Sequence, residues 1–155
     1  MLRLSKLTDY AVVVLTRLAR DGAAAPLGPV QNALSLAGET GIAEPTVAKV
    51  LKLLAQAGLV EGVRGPRGGY RLTRSLASVP LSDIIVAIDG PIALTACVDG
   101  GTGMCEAEGI CPVRGRWDPV NDAIRRALSG ITLADLAPPP RGRPAPSAAI
   151  HAFAE

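Results

Sequence analysis

The sequence predicts a mainly helical fold carrying one β-hairpin, a cysteine-bearing loop and a long C-terminal helix. Three observations support it. Apolar residues recur at helical spacing in five stretches, a glycine-rich turn separates two short runs of strand formers, and three cysteines crowd one loop. At 155 residues and 48% apolar, the chain is long enough for a core that needs no disulfide staples.

The elements follow in order. Thr8 is expected to cap a first helix with Asp9 in its opening turn and Ala11, Val14, Leu15 and Leu18 on one face, stopped by Asp21-Gly22. After a loop from Ala23 to Pro29, Ala33, Leu36 and Ala37 mark a short second helix closing around Glu39, and Thr40-Gly41-Ile42-Ala43 forms a tight turn. A third helix is expected from Glu44 to Ala57, with Pro45 tolerated in its first turn and Gly58 as its stop. Val47, Val50, Leu51 and Leu54 give it an apolar face, opposite which lie Pro45, Ala48, Lys49, Lys52 and Gln56. Leu59-Val60 and Tyr70-Arg71-Leu72 bracket the turn Arg64-Gly65-Pro66-Arg67-Gly68-Gly69 as strands. A fourth helix runs from Leu81 to Asp89 and stops at Gly90-Pro91. A long loop containing every cysteine follows. Asp118 is then expected to cap a helix opened by Pro119 and running through Leu128, with Val120, Ile124, Ala127 and Leu128 along one side. Gly130 ends it, and Thr132 to Leu136 add one turn. From Ala137 onward, Pro138-Pro139-Pro140, Arg141-Gly142-Arg143-Pro144 and a run of small residues carry too little apolar bulk to order, so residues 137–155 are expected to form a disordered tail.

The overall charge of +2 conceals an asymmetry: residues 1–75 hold ten basic and five acidic side chains, residues 76–155 six and nine. A basic half suits a polyanion. The longest uncharged stretch, Gly22 to Gly38, is broken by Pro26, Gly28 and Pro29 and cannot span a membrane, and Met1 to Lys6 lead into an amphipathic pattern without an apolar leader core. A cytoplasmic protein without a membrane partner is expected.

Helix, short helix, tight turn, helix with a cationic outer face, then a two-stranded ribbon is the layout of a winged helix-turn-helix, expected over residues 1–75. A helix fits the major groove, so Thr46, Lys49, Lys52 and Glu44 are candidates to face base edges or phosphates of duplex DNA, and the wing can bring Arg64 and Arg67 to the minor groove. Arg71, Arg3 and Lys6 are further candidates for phosphate contacts, while Glu44 can accept from a cytosine amino group or exclude a wrong base. Single-strand binding is disfavoured because Tyr70 is the sole aromatic near this surface; it and Tyr10 suit packing better.

Cys97, Cys105 and Cys111 are spaced C-x7-C-x5-C among Gly100, Gly101, Gly103 and Gly109. Three thiolates on one loop suit a soft metal or an iron-sulfur cluster of two or four irons; pairing of two in a redox switch, or three ordinary thiols, are the alternatives. Structural zinc lacks a fourth donor, since the sole histidine, His151, sits in the tail. The same histidine is badly placed to activate a nucleophile, and no phosphate-cradling loop is present, so an enzyme is not expected. Trp117 and Met104 read as packing residues. A cluster carrier or adaptor is the reading from a different class.

The opening Met1 to Ala11, Thr40-Gly41-Ile42 leading into Val47 to Leu54, Ala57-Gly58-Leu59-Val60, the wing Val63 to Leu72 and the three cysteines together resemble the Rrf-two family of winged-helix regulators, which includes the IscR, NsrR and RirA groups. The resemblance covers roughly residues 1–136, and the opening and cysteine loop look most like regulators of SUF iron-sulfur assembly genes. It implies a homodimer whose C-terminal helix, here Asp118 to Leu128, crosses its mate, and a labile cluster held by Cys97, Cys105 and Cys111 within residues 76–136 that alters promoter affinity. Arg114 stands where IscR-like members place a histidine ligand, whereas Asp9 matches the aspartate that NsrR-like members recruit from the opposite subunit. Asp9 is thus the candidate fourth ligand, with Glu106 and Glu108 as rivals on the loop, and Ala43 replaces the capping Ser or Thr expected before the recognition helix.

Overall fold

The computed structural model describes residues 4–19, 28–98, 101, 105 and 110–137. Arg3, the expected stop at Asp21-Gly22, Met104, Glu106, Glu108, His151 and the tail beyond residue 137 lie outside them. Helices α1 (Lys6–Ala19), α2 (Ala33–Thr40) and α3 (Glu44–Gln56) are followed by strands β1 (Val60–Val63) and β2 (Gly69–Leu72), a 3-10 turn (Leu76–Ser78), α4 (Leu81–Asp89), α5 (Asp118–Ser129) and α6 (Leu133–Leu136).

The apolar stripes of α1, α2 and α3 converge. Ala11, Val14, Leu15, Leu18, Leu36, Val47, Val50, Leu51 and Leu54 are fully buried, together with Val79 and Ile84 from the second half of the chain and Leu133 from α6. Tyr10 and Tyr70 pack against this core as expected. The core therefore unites both ends of the sequence. Residues flanking α4 and α6 close it: Pro80 and Thr132 form an antiparallel bridge, with Leu81 N–H donating to Ile131 O at 2.8 Å and Leu133 N–H to Val79 O at 2.8 Å. A reciprocal capping box between Thr132 and Asp135 starts the short α6.

Two caps differ from expectation. Ser5, not Thr8, caps α1: its Oγ accepts the Thr8 N–H at 3.2 Å, and Thr8 lies three residues inside the helix, fully buried. Its hydroxyl is taken by a distant partner, donating to Asp89 Oδ2 at 2.7 Å. Asp118 is the first residue of α5 rather than its cap, because Trp117 before it already has helical angles (φ −85°, ψ −13°); the helix starts one residue early and ends at Ser129. Trp117 itself is 42% exposed in the single chain. The strands extend further into the turn than expected and exclude Leu59, while α3 ends one residue earlier, at Gln56.

The hairpin is antiparallel, in the register Val60↔Leu72 to Val63↔Gly69. A contact the sequence did not suggest extends it. Gln31, just ahead of α2, bridges to Tyr70, with Gln31 N–H donating to Tyr70 O at 2.9 Å and Tyr70 N–H to Gln31 O at 2.8 Å. Gly69 makes this approach possible, because a Cβ there would stand 2.4 Å from Gln31 O.

Candidate nucleic-acid interface and cysteine loop

The α2–α3 corner follows from its local sequence. Asn32 caps α2 through its Oδ1, which accepts the Ser35 N–H at 2.8 Å, and Gly41 ends the helix in the left-handed region at φ 72°. Three residues later α3 begins without a side-chain cap, Ala43 offering none, and Pro45 supplies a preset helical φ. With Val47, Val50, Leu51 and Leu54 turned into the core, Glu44, Pro45, Ala48, Lys49, Lys52 and Gln56 are exposed and Thr46 is half-buried.

The wing presents Arg64 and Arg67, both exposed, on a turn closed by Gly68 N–H donating to Gly65 O at 2.9 Å. Among the described residues none of Lys6, Lys49, Lys52, Arg64 and Arg67 shares an ion pair. Arg71 does: its Nε meets Glu61 Oε1 at 2.5 Å across the hairpin, which orients it along the ribbon. Lys6 is exposed at the start of α1, at some remove in sequence from α3, and Arg3 lies outside the described residues.

The cysteine loop leaves α4 at Gly90 and is gripped at its root. Asn121, 1% exposed in the middle of α5, accepts the Leu94 N–H at 3.0 Å and donates to Ile92 O at 3.1 Å, and Arg125 Nε donates to the same carbonyl at 3.1 Å. Cys97 follows three residues after Leu94, its Sγ 3.4 Å from Thr95 Oγ1. All three cysteines are free and half-buried. Among the described residues no three histidine, cysteine, aspartate or glutamate side chains stand close enough to hold a metal ion. Asp9 is exposed on α1, next to the buried Thr8, and Arg114 is exposed on the loop.

The same end of α4 is tied to α1. Burial pulls the Asp89 carboxyl pKa up, but hydrogen bonds from the Ser5 and Thr8 side chains and the Ser5 backbone outweigh it and hold it below the usual 3.8. Asp89 so lies at the start of α1, where a carboxylate complements the helix dipole. Sequence reasoning missed Gln31, Asp89 and Asn121. A signal existed for two of them: Asp89 ends its own helix, where an anion is unfavourable without a partner elsewhere, and Asn121 interrupts the apolar residues of α5.

A profile of the family described as Rrf2, iron-dependent transcriptional regulator, matches residues 4–139. A putative HTH-type transcriptional regulator of Azotobacter vinelandii is 34% identical over 135 residues, covering 87% of this chain and 79% of that protein. The HTH-type transcriptional regulator IscR of Escherichia coli K12 is 31% identical over 87% of this chain and 80% of its own. Among solved structures, CymR, the global cysteine regulator of B. subtilis, superposes with a TM-score of 0.65 at 29% identity, covering 88% of this chain and 97% of that one. T. potens IscR does so at 0.58 and 29%, covering 87% and 85%. The oxidized form of Staphylococcus aureus CymR does so at 0.60 and 25%, covering 88% and 96%.

Proposed function

This chain belongs to the Rrf2 family of iron-dependent transcriptional regulators, and on that footing we propose that it is a homodimeric promoter-binding regulator whose cysteine loop senses iron-sulfur cluster status and that controls iron-sulfur assembly (SUF) genes. It is a DNA-binding regulator of the IscR-like kind and not an enzyme; the sensing, the dimer and the target genes are the proposal.

One observation carries it: three free thiols on a single loop, C-x7-C-x5-C, whose root is pinned to α5 by Asn121. The donor chemistry suits a cluster better than zinc, because a cluster tolerates a fourth ligand that is weak or comes from another subunit. Cys97, Cys105 and Cys111 would hold it, and Asp9, exposed on α1, would supply the fourth ligand from the opposite protomer. When bound, the cluster would make the state of the loop depend on iron and oxidants. Ile110, Val113, Trp117 and Val120 leave a band of exposed apolar surface along the end of the loop and the start of α5, which supports burial of this face against a second copy. Lys49, Lys52, Arg64 and Arg67, which share no ion pair among the described residues, would meet phosphates and groove edges, with Glu44 and Thr46 at the entry of α3. Lys6, Arg3 and the paired Arg71 would take flanking phosphates. No described helix is long and apolar enough to cross a membrane.

The test is oxygen-free purification, absorbance, and iron and sulfide content, followed by binding of cluster-loaded and cluster-free protein to its own upstream DNA at fixed salt. Coloured, iron-containing protein whose affinity changes on cluster loss is expected; colourless protein even after reconstitution removes the proposal. A second reading, a thiol-disulfide sensing repressor without a cluster, is favoured by the likeness to the oxidized form of CymR. It predicts colourless protein whose DNA affinity changes with peroxide and returns with a thiol reductant.

A further inference from the structure

The three thiols are not equally placed. No three metal-ligating side chains stand together among the described residues, so the loop would have to draw its sulfurs toward one another to hold a cluster. One of them already stands on a fixed point. Asn121 and Arg125 hold the Ile92 carbonyl, Asn121 also takes the Leu94 N–H, and Val98, immediately after Cys97, is 5% exposed. Between these anchors the chain makes a tight turn, with Val98 N–H donating to Thr95 O at 3.5 Å and Gly101 N–H to Val98 O at 2.9 Å. Gly101 closes the turn by backbone contact: a Cβ there would stand 2.6 Å from Ala96 O and 3.0 Å from Thr95 O. Cys111, by contrast, follows Ile110, which is 88% exposed, and precedes the exposed Pro112.

Within that turn, Thr95 Oγ1 lies 3.4 Å from Cys97 Sγ, and both residues are half-buried. Among the described residues it is the one hydroxyl that touches a cysteine sulfur. In the free thiol either group can donate. A thiolate has no proton, so once Cys97 acts as a ligand the direction is fixed: the threonine hydroxyl donates and the sulfur accepts, in a charge-assisted bond stronger than a neutral one. Threonine suits the task, since its β-branch restricts χ1 and limits how far the hydroxyl can swing toward water. Such a bond has two physical effects. It orients the sulfur before any iron arrives, and it draws negative charge off that sulfur, which favours the more electron-rich state of whatever the sulfur holds.

We propose that Thr95 is the positioning residue of the sensing loop: its hydroxyl donates to the Cys97 thiolate, makes Cys97 the thiol on which the cluster is anchored, and sets how long the cluster lasts and at what potential it is reduced. The proposal rests on the cluster reading above and adds a determinant that the cysteine spacing does not contain.

The test compares the full chain with T95V, which keeps the branched shape and loses the hydroxyl, and with T95S, which keeps the hydroxyl. Each is reconstituted with ferrous iron and sulfide without oxygen. Loss of visible absorbance is then timed in air-equilibrated buffer, and the reduction midpoint is taken by mediated titration with dithionite. The metal-free chains are compared in parallel by melting temperature and by the NMR couplings of the Cys97 β-protons. T95V should lose its cluster about tenfold faster than the parent, its midpoint should fall, and T95S should restore both. Melting temperatures should agree among the three, while the Cys97 couplings pass from those of one rotamer in the parent to an average in T95V. A coloured T95V with the parental lifetime and midpoint overturns the role of Thr95 and leaves the cluster reading standing. A faster loss that T95S does not restore, or that accompanies a lower melting temperature with an unchanged midpoint, overturns it equally. A parent that stays colourless after reconstitution overturns the proposal together with the reading on which it rests.

Discussion

At the residue scale, the polar side chains that matter most are those whose partners lie far away in sequence. Thr8 fits the profile of a helix cap in every local respect, yet Ser5 takes that role and Thr8 reaches Asp89 instead. No one-dimensional pattern records a partner 81 positions away. Asp89 has its pKa lowered in the fold, so it contributes stability above its unfolded value near 3.8, and this contribution is lost as pH falls through the lowered folded value. Asp89→Asn should therefore lower stability at neutral pH and flatten the acid limb of the stability curve, the difference from the parent vanishing as pH falls below the folded value. Urea midpoints across an acid series check this. Asn121 is the more costly position. Replacing it by Ala leaves Leu94 N–H without its partner and Ile92 O with Arg125 Nε alone, and should cost about 1–3 kcal/mol. Under the proposed function, Asn121→Ala should also shorten the lifetime of a reconstituted cluster, followed by absorbance. A purely structural role would lower the melting temperature and leave cluster loss at a fixed fraction folded unchanged.

Elements were easier to read than residues. The stripe Val47, Val50, Leu51 and Leu54 announced both the existence of α3 and which face it hides, because period and burial are one phenomenon in an amphipathic helix. By the same token Lys49 and Lys52 had to be outside. Replacing both by Ala should weaken duplex binding and reduce the slope of log affinity against log salt by about 2 if each meets one phosphate; unchanged slopes would remove them from the interface. The wing was legible as a hairpin from its glycines, but its docking was not. The Gln31 to Tyr70 bridge joins residues that share no motif, and only Gly69 hints that another backbone comes close. Gly69→Ala puts a methyl group against Gln31 O and should separate β2 from the chain ahead of α2, costing about 1–3 kcal/mol. Protection of the Tyr70 amide in hydrogen exchange should fall with it.

For the whole molecule, the winged-helix order was readable because each helix and strand carries its own signal. The relation of the cysteine loop to the rest depends on the buried amide of Asn121, which has no periodicity. The position of Asp9 on α1 suits a ligand given to another copy, but the three thiols alone do not predict it. Under the proposed function, the exposed Ile110, Val113, Trp117 and Val120 would meet a second copy. Val120→Asp adds a charge on an exposed helix position, so it should leave the fold intact and shift sedimentation toward the monomer. Affinity for a two-half-site promoter should drop with it, since a dimer gains its tight binding from engaging both half-sites together. A dimer that survives this change would place the contact elsewhere.

The bridge between Pro80 and Thr132 has one more consequence. Between those two residues α4 keeps Ile84 in the shared interior and Asp89 against α1, so the excursion that carries the thiols begins only at Gly90 and ends at α5, while Leu133 beyond the bridge remains sealed. A change of trigger within that excursion need not rebuild the surface that touches the double helix. Loops of different length and chemistry can be exchanged there as a lock accepts a new barrel in the same door, so long as the clasp and the first helix after it are kept.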